Sequence, residues 1–308
     1  MSDSQIEFTA ADANERLDKQ VQNILQDHSR TQIQTLIKDG AVTVDGHQVK
    51  PGIKLKGGEK IIISLPPEPS ELRIEPEAID LDILYDDEHI AVLNKPAGMV
   101  VHPAIGHDSG TLVHALLHHY PQIAAMSQDE QAEGRMGIVH RLDKETSGLM
   151  VIAKHLDALE NLMVQFKDRM VDKTYIALLE REPDTATGRI DAPIGRDKNQ
   201  RKRMAVRRDG KPAITEYEVI DNDFRDGQAL TRIKLHTGRT HQIRVHMAFI
   251  RCPVVGDSVY GYRKQRLKMK RHFLHAAELS FDHPQTGEPM AFTSELDAGL
   301  QNILSKIK

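Results

Sequence analysis

The chain is poor in the residues and runs from which several function classes are built. It has one cysteine in 308 residues, which excludes an internal disulfide and a thiolate zinc cluster. That residue, Cys252, precedes Pro253 among apolar neighbours, the setting of a buried and inert thiol. No apolar run approaches the length of a membrane-spanning helix, and the N-terminus lacks the basic region and apolar core of a secretion signal. A cytoplasmic protein with no membrane contact is the expectation. The GxGxxG and P-loop fingerprints of nicotinamide and phosphoryl-transfer enzymes are also missing. So are internal repeats and low-complexity tracts.

Histidine is plentiful, at sixteen, yet its pattern gives no metal site. His236, His241 and His246 recur every five residues, an interval that turns successive side chains off a common helical face. No metal ligand and no cofactor are assigned. The net charge of −4 hides a strong asymmetry. Acid gathers between Glu68 and Glu88, whereas RDKNQRKRMAVRRDGK (Arg196 to Lys211) and YRKQRLKMKRH (Tyr262 to His272) are basic. Phosphate binding needs a positive surface at the contact and is indifferent to acid elsewhere. Two basic runs, each beside a candidate site segment, point to RNA.

The length allows more than one folding unit. Residues 1–65 form the first. Helical spacing of Leu17, Val21, Ile24 and Leu25 is followed by Ser29 as a cap for a second helix carrying Ile33, Leu36 and Ile37. Gly40 stops that helix, AVTVDGHQV reads as a hairpin about an Asp-Gly turn, and GGEKIIISL as a further strand. PPEPSEL opens a stiff linker over 66–80, and 81–308 is the larger domain. There strands and helices mix without strict βαβ alternation, which predicts an α+β fold with a largely antiparallel sheet. Expected strands are the pair in DILYDDEHIAVLNKP, Lys173–Leu179, Ala213–Ile220 and Leu230–Leu235. Expected helices span Thr111–Tyr120 and His155–Met170. The long acidic segment Gln122–Arg135 reads as a surface loop.

One segment stands out chemically. GIVHRLDKETSGLMVIAK (Gly137 to Lys154) puts Asp143 in a polar turn between two apolar runs, Gly137–Val139 and Leu149–Ala153, each read as a short buried strand. Alone, such an aspartate is most simply a turn former or a helix cap.

HRLD followed by TSGL, then KTY, then GRTHQIRVH, with NKPAGMVVHP ahead of them, resembles the RluA/RluD family of RNA pseudouridine synthases over Leu81 to about Leu296. The resemblance implies isomerisation of uridine by detaching uracil, rotating it and rejoining it through a carbon. It makes Asp143 the essential carboxylate, acting as nucleophile or base, and Arg244 its cationic partner through a two-point grip. It makes Tyr175 the active-site tyrosine, and Arg141 the residue that fills the gap left by a flipped nucleotide. Leu274 would pack under the site, while Arg239, His241 and Gln242 would contact substrate. Asn94, Lys95 and Pro96 would support the aspartate loop; His140 is either a hydrogen-bond partner behind the site or a satisfied core histidine. The first unit resembles the S4 RNA-binding module, with Arg30, Gln34 and Lys38 facing RNA. Large-subunit ribosomal RNA, free or in a pre-ribosomal particle, is the implied substrate, and the protein is expected to act as a monomer. Transfer RNA is the nearest alternative. A catalytically silent ribosome-assembly factor is opposed by the intact set Asp143, Tyr175 and Arg244. A glycoside hydrolase would need a second placed carboxylate, a role that nothing gives to Glu145.

Overall fold

The computed structural model describes residues 5–11, 13–26, 28–65, 74–104, 106–128, 134–200, 203–267 and 269–308. Chain contacts divide it into two units, Met1–Arg73 and Ile74–Lys308. The first contains β1 (Gln5–Thr9), α1 (Leu17–Ile24), α2 (Arg30–Lys38), β2 (Val42–Val44), β3 (His47–Gln48) and β4 (Lys60–Ser64). Ser29 starts α2 through a capping box: its hydroxyl takes the Gln32 N–H, and the Gln32 side chain takes the Ser29 N–H. Asp45 and Gly46 have φ of 47° and 78°, the left-handed pair that a tight hairpin turn requires. The antiparallel sheet runs β1-β4-β2-β3, closed by Leu17, Val21, Ile33, Ile37, Ile61 and Ile63. Strand β1 is an addition to the predicted elements. QIEFT does alternate polar and apolar residues, with Ile6 and Phe8 half-buried against the core, but the run is only five residues long and none of it is fully buried.

The PPEPSEL stretch lies outside the described residues. From Ile74 the chain packs with the second unit, where Ile74 lies against the core and the Glu77 N–H donates to the His114 carbonyl at 3.0 Å. This unit contains β5 (Asp82–Asp86), β6 (Ile90–Lys95), α3 (Leu112–His119), a 3₁₀ turn over Pro121–Gln128, β7 (Ser147–Ala153), α4 (Leu156–Asp168) and β8 (Asp172–Leu179). There follow β9 (Thr187–Asp191), β10 (Ile194–Arg196), β11 (Met204–Val206), β12 (Ile214–Asp221), β13 (Ala229–Leu235), α5 (Gln242–Phe249), β14 (Leu274–Asp282), β15 (Pro289–Thr293) and α6 (Ala298–Ile307). The α+β expectation holds. The main sheet runs β5-β6-β7-β14-β8-β13-β12-β9, with β15 on β14, and among its pairings only β7 with β14 is parallel. Strands β10 and β11 form a separate hairpin.

Every residue of β7 is buried, as its apolar run requires at the middle of a covered sheet. Its parallel pairing with β14 depends on Gly148. The φ there is +118°, and a Cβ would stand 2.2 Å from the Ala276 carbonyl oxygen. The glycine of TSGL is therefore a close-approach residue. Gly137–Val139 is not a strand; it contributes one isolated bridge, Ile138 to Ile152. Met136 and Gly137 have φ of 46° and 81°, which turns the backbone out of an extended path before pairing extends.

Candidate active site

Three connections supply the polar side chains: residues 140–146 leading into β7, residues 236–241 leading from β13 into α5, and residues 250–273 joining α5 to β14. Asp143 sits in the first, its carbonyl accepting the Thr146 N–H at 3.0 Å. The loop is fastened from behind. Lys95, fully buried, points its ammonium at the carbonyls of Pro96 (2.8 Å), Met99 (3.0 Å) and Lys144 (3.3 Å). Burial pulls its pKa down to about 8, although Glu145 and Asp143 oppose that shift. Arg271 donates to the Glu145 carbonyl at 3.2 Å, and the Thr146 hydroxyl bonds His272 Nε2 at 2.7 Å. The support expected of Lys95 is thus visible as a tripod of hydrogen bonds. His140 is half-buried and is used structurally behind the loop: it accepts the Val151 N–H at 3.1 Å, stacks on Phe166, and burial pushes its pKa down to about 3.

The Asp143 side chain is 24 % exposed, and its Oδ2 accepts Arg244 Nη1 at 2.9 Å. The predicted two-point grip exists but holds a different carboxylate. Arg244 Nε and Nη2 donate to the two oxygens of Asp257, at 2.7 and 3.0 Å. Asp257, fully buried, also accepts the N–H groups of Val259 (2.8 Å) and Tyr260 (3.0 Å). Burial works to raise the pKa of Asp257, but the Arg244 bonds and charge and those two N–H groups outweigh it and hold it below the usual range. Burial likewise disfavours charge on Arg244, and the two carboxylates overcome it. The guanidinium is therefore a fixed cation that offers one N–H to Asp143 and leaves Oδ1 free of it.

Tyr175, on β8 opposite Ile233 and Ala276, is buried; burial first, then the Asp143 charge, raises its phenol well above the ordinary value. It is a neutral hydroxyl on a flat ring at neutral pH. Leu274 is buried at the start of β14, as expected of a packing residue. Arg141 is exposed. His241 caps α5 in a left-handed conformation (φ 57°), with Nε2 3.9 Å from Asp143 Oδ1 and Nδ1 2.8 Å from the Tyr260 hydroxyl. Arg239 is half-buried and donates Nε to the Pro212 carbonyl at 3.0 Å.

Gln242 does not face substrate. Its oxygen accepts the Thr237 hydroxyl (2.7 Å) and the Arg239 N–H (3.0 Å), while its nitrogen donates to the Ile214 carbonyl and the Thr215 hydroxyl, both at 2.9 Å. All four hydrogen-bonding positions of the amide are used internally, so it shapes the GRTHQ turn. The histidines at five-residue intervals part company: His236 pairs with Glu216, His241 with Tyr260, and His246 with Thr215 and the Ala192 carbonyl.

Sequence reasoning missed Asp257 and Tyr260. The available signal was VVGDSVYG, an acid inside an apolar run, which requires a buried counter-charge. Tyr260 connects this site to the basic hairpin, because its hydroxyl accepts the Met204 N–H at 2.8 Å and its ring lies under Arg203 and Arg244 at 5.2 and 5.1 Å. Residues 201, 202 and 268 of the basic runs lie outside the described residues.

In the first unit Arg30 and Gln34 do share a surface, drawn together by Asp18. This buried carboxylate takes two bonds from Arg16 (2.9 and 2.8 Å), one from Gln34 (3.1 Å), and an ion pair with Arg30 (3.5 Å). Its pKa falls to about 2, chiefly through Arg16. Lys38 ends the last turn of α2.

Among the described residues no helix is long and apolar enough to cross a membrane. Residues 89–249 match the RNA pseudouridylate synthase family, and residues 15–61 match the S4 domain. A ribosomal large subunit pseudouridine synthase D of Pseudomonas aeruginosa is 44 % identical over 306 residues, 96 % of this chain and 92 % of that protein. An uncharacterised RNA pseudouridine synthase of Bacillus subtilis is 43 % identical over 307 residues, 99 % of each chain. The solved structure of human RNA pseudouridylate synthase domain containing 1 superposes with a TM-score of 0.57 at 27 % identity, covering 74 % of this chain and 86 % of that one. With the motif carboxylate in the loop before β7, its guanidinium partner on α5, the buried tyrosine on β8, and a match to the S4 domain ahead of them, this chain belongs to the RNA pseudouridine synthases.

Proposed function

We propose that this enzyme isomerises uridines in large-subunit ribosomal RNA, with Asp143 as the reactive carboxylate. The observation that carries the reading is the one-point ion pair: Arg244 supplies a fixed positive charge at Oδ2 while Oδ1 stays open beside a neutral, buried Tyr175. Whether it attacks the sugar as nucleophile or removes a proton as base, the aspartate must present an ionised oxygen in a partly dry site. The uracil nitrogen leaves the ribose, a ring carbon replaces it, that carbon gives up a proton and the nitrogen gains one. Atoms and electrons balance within the nucleotide, so the chemistry calls for no hydride or phosphoryl donor. Tyr175 offers its ring as a surface for the detached base. Exposed Arg141, two residues from Asp143, is suited to occupy the stack that the flipped uridine vacates.

The ribosomal substrate is supported by relatives whose names specify the large subunit, in Pseudomonas, Vibrio and Neisseria, at 40 to 44 % identity. It implies action in the cytoplasm, on free RNA or a pre-ribosomal particle. The Arg16–Arg30–Gln34 cluster set on Asp18, with Lys38, supplies phosphate contacts from the S4 domain. The test is Asp143→Asn. The amide keeps the shape but is neither nucleophile nor base, so RNA binding persists and pseudouridine formation stops. Turnover near the wild-type rate removes Asp143 from the mechanism. Mapping pseudouridine in total RNA with and without the protein identifies the substrate.

A further inference from the structure

We infer that Tyr260 is a positioning residue that fixes His241 in the tautomer presenting an N–H to the free oxygen of Asp143. The inference extends the proposed role of Asp143 and rests on it. Tyr260 is 8 % exposed, and its hydroxyl has two close partners, the Met204 N–H at 2.8 Å and His241 Nδ1 at 2.8 Å. Met204 can only donate, so it occupies a lone pair of the phenol oxygen. The phenol has a single hydrogen, and His241 Nδ1 is the acceptor within reach among the described residues. When that hydrogen is given to Nδ1, the Met204 N–H, the phenol O–H and Nδ1 are all satisfied, and the imidazole proton resides on Nε2. In the opposite tautomer the phenol oxygen would accept twice and its own buried hydrogen would lack a partner, a costly arrangement.

Nε2 is the nitrogen that faces Asp143, 3.9 Å from Oδ1. That is beyond hydrogen-bond length, and such contacts in unliganded enzymes tighten when substrate is bound. Arg244 addresses Oδ2 and His241 addresses Oδ1, so the two donors define the plane of the carboxylate from both sides. The aim of His241 is set by its left-handed backbone (φ 57°) and by an edge-on ring contact with Tyr260 at 5.6 Å. Tyr260 also gives its backbone N–H to Asp257, so one residue braces both donors.

The test uses full-length protein labelled with ¹⁵N-histidine, with His241→Phe identifying the signal. At neutral pH the wild type should show His241 protonated on Nε2 and not on Nδ1, and Tyr260→Phe should release it to a mixture of tautomers. Tyr260→Phe keeps the ring, so packing under Arg203 and Arg244 is retained. On saturating RNA its kcat should fall about tenfold, the scale of a small misplacement at a reacting centre. Combined with His241→Phe, it should cost nothing further beyond about twofold, because the two residues act through one contact. A wild-type His241 protonated on Nδ1, a Tyr260→Phe enzyme with wild-type kcat, or losses that multiply in the double variant would each overturn the inference. Failure of the Asp143 assignment is separable, since it shows as turnover by Asp143→Asn with the His241 spectrum unchanged.

Discussion

Replacing Asp257 by asparagine tests the ion-pair architecture most directly. In the wild type Asp257 Oδ1 accepts Arg244 Nη2 and the N–H groups of Val259 and Tyr260, and Oδ2 accepts Arg244 Nε at 2.7 Å. An asparagine oxygen can serve the first three, but its NH₂ then meets the Nε–H donor to donor. Removing one partner of a buried pair typically costs about 3–5 kcal/mol. Arg244 retains Asp143 as a second counter-ion, so the lower end, ~3 kcal/mol, is the expectation for Asp257→Asn. Freed from Asp257, the guanidinium can turn its fork toward both oxygens of Asp143. Turnover should then fall by about a hundredfold, as for a misplacement of about an ångström. Stability also carries a pH signature. The pKa of Asp257 is depressed on folding, so its contribution is present above the unfolded value of about 3.9 and is lost as pH falls through the folded value. The gap between wild type and variant should therefore narrow below about pH 4. Urea unfolding between pH 3 and 7 reads the first effect, and pseudouridine formation on saturating RNA reads the second. A variant within ~1 kcal/mol of wild type and with wild-type turnover would refute this account of Arg244.

Two further predictions concern the scaffold. Lys95, with its pKa lowered to about 8 from 10.5, binds its proton less tightly folded than unfolded, so stability should rise with pH between those values; Lys95→Met should flatten that rise in denaturant titrations at pH 7.5 and 10. Gly148→Ala forces a Cβ to within 2.2 Å of the Ala276 oxygen at φ +118°, which should cost about 3 kcal/mol or more in urea unfolding; a loss below ~1 kcal/mol would mean that β7 and β14 separate easily.

The sequence was most legible where a local rule decides the outcome. Ser29 announces the start of α2, and the helical spacing of Leu159 and Leu162 on one face announces α4. The motif residues Asp143, Tyr175 and Arg244 were identifiable, but their geometry was not. Which carboxylate takes the fork of Arg244 depends on the path of residues 250–257, and no periodicity encodes that path. Gln242 is assigned to substrate only through the resemblance of GRTHQIRVH to the family motif; its four internal bonds exist only once β12 and the GRTHQ turn are adjacent. Gly137–Val139 has strand composition, and two left-handed residues overrule it. Helix α6, capped by Asp297 through Gly299 and Leu300, had a readable cap that no sequence element had claimed.

The fastening of the aspartate loop also orders events in time. Thr146 is held by His272, 126 residues further on, and Glu145 by Arg271, while Arg244 follows Asp143 by 101 residues. At translation speeds of about 5–20 residues per second, the carboxylate emerges after Lys95 but on the order of ten seconds before Arg244, Arg271 and His272. During that interval Asp143 has no guanidinium from Arg244 beside it. A growing chain that has not yet reached Arg244 therefore lacks the guanidinium on which the proposed role of Asp143 rests. The ion pair can form only once Arg244 has left the exit tunnel, and the ties through Arg271 and His272 only later still.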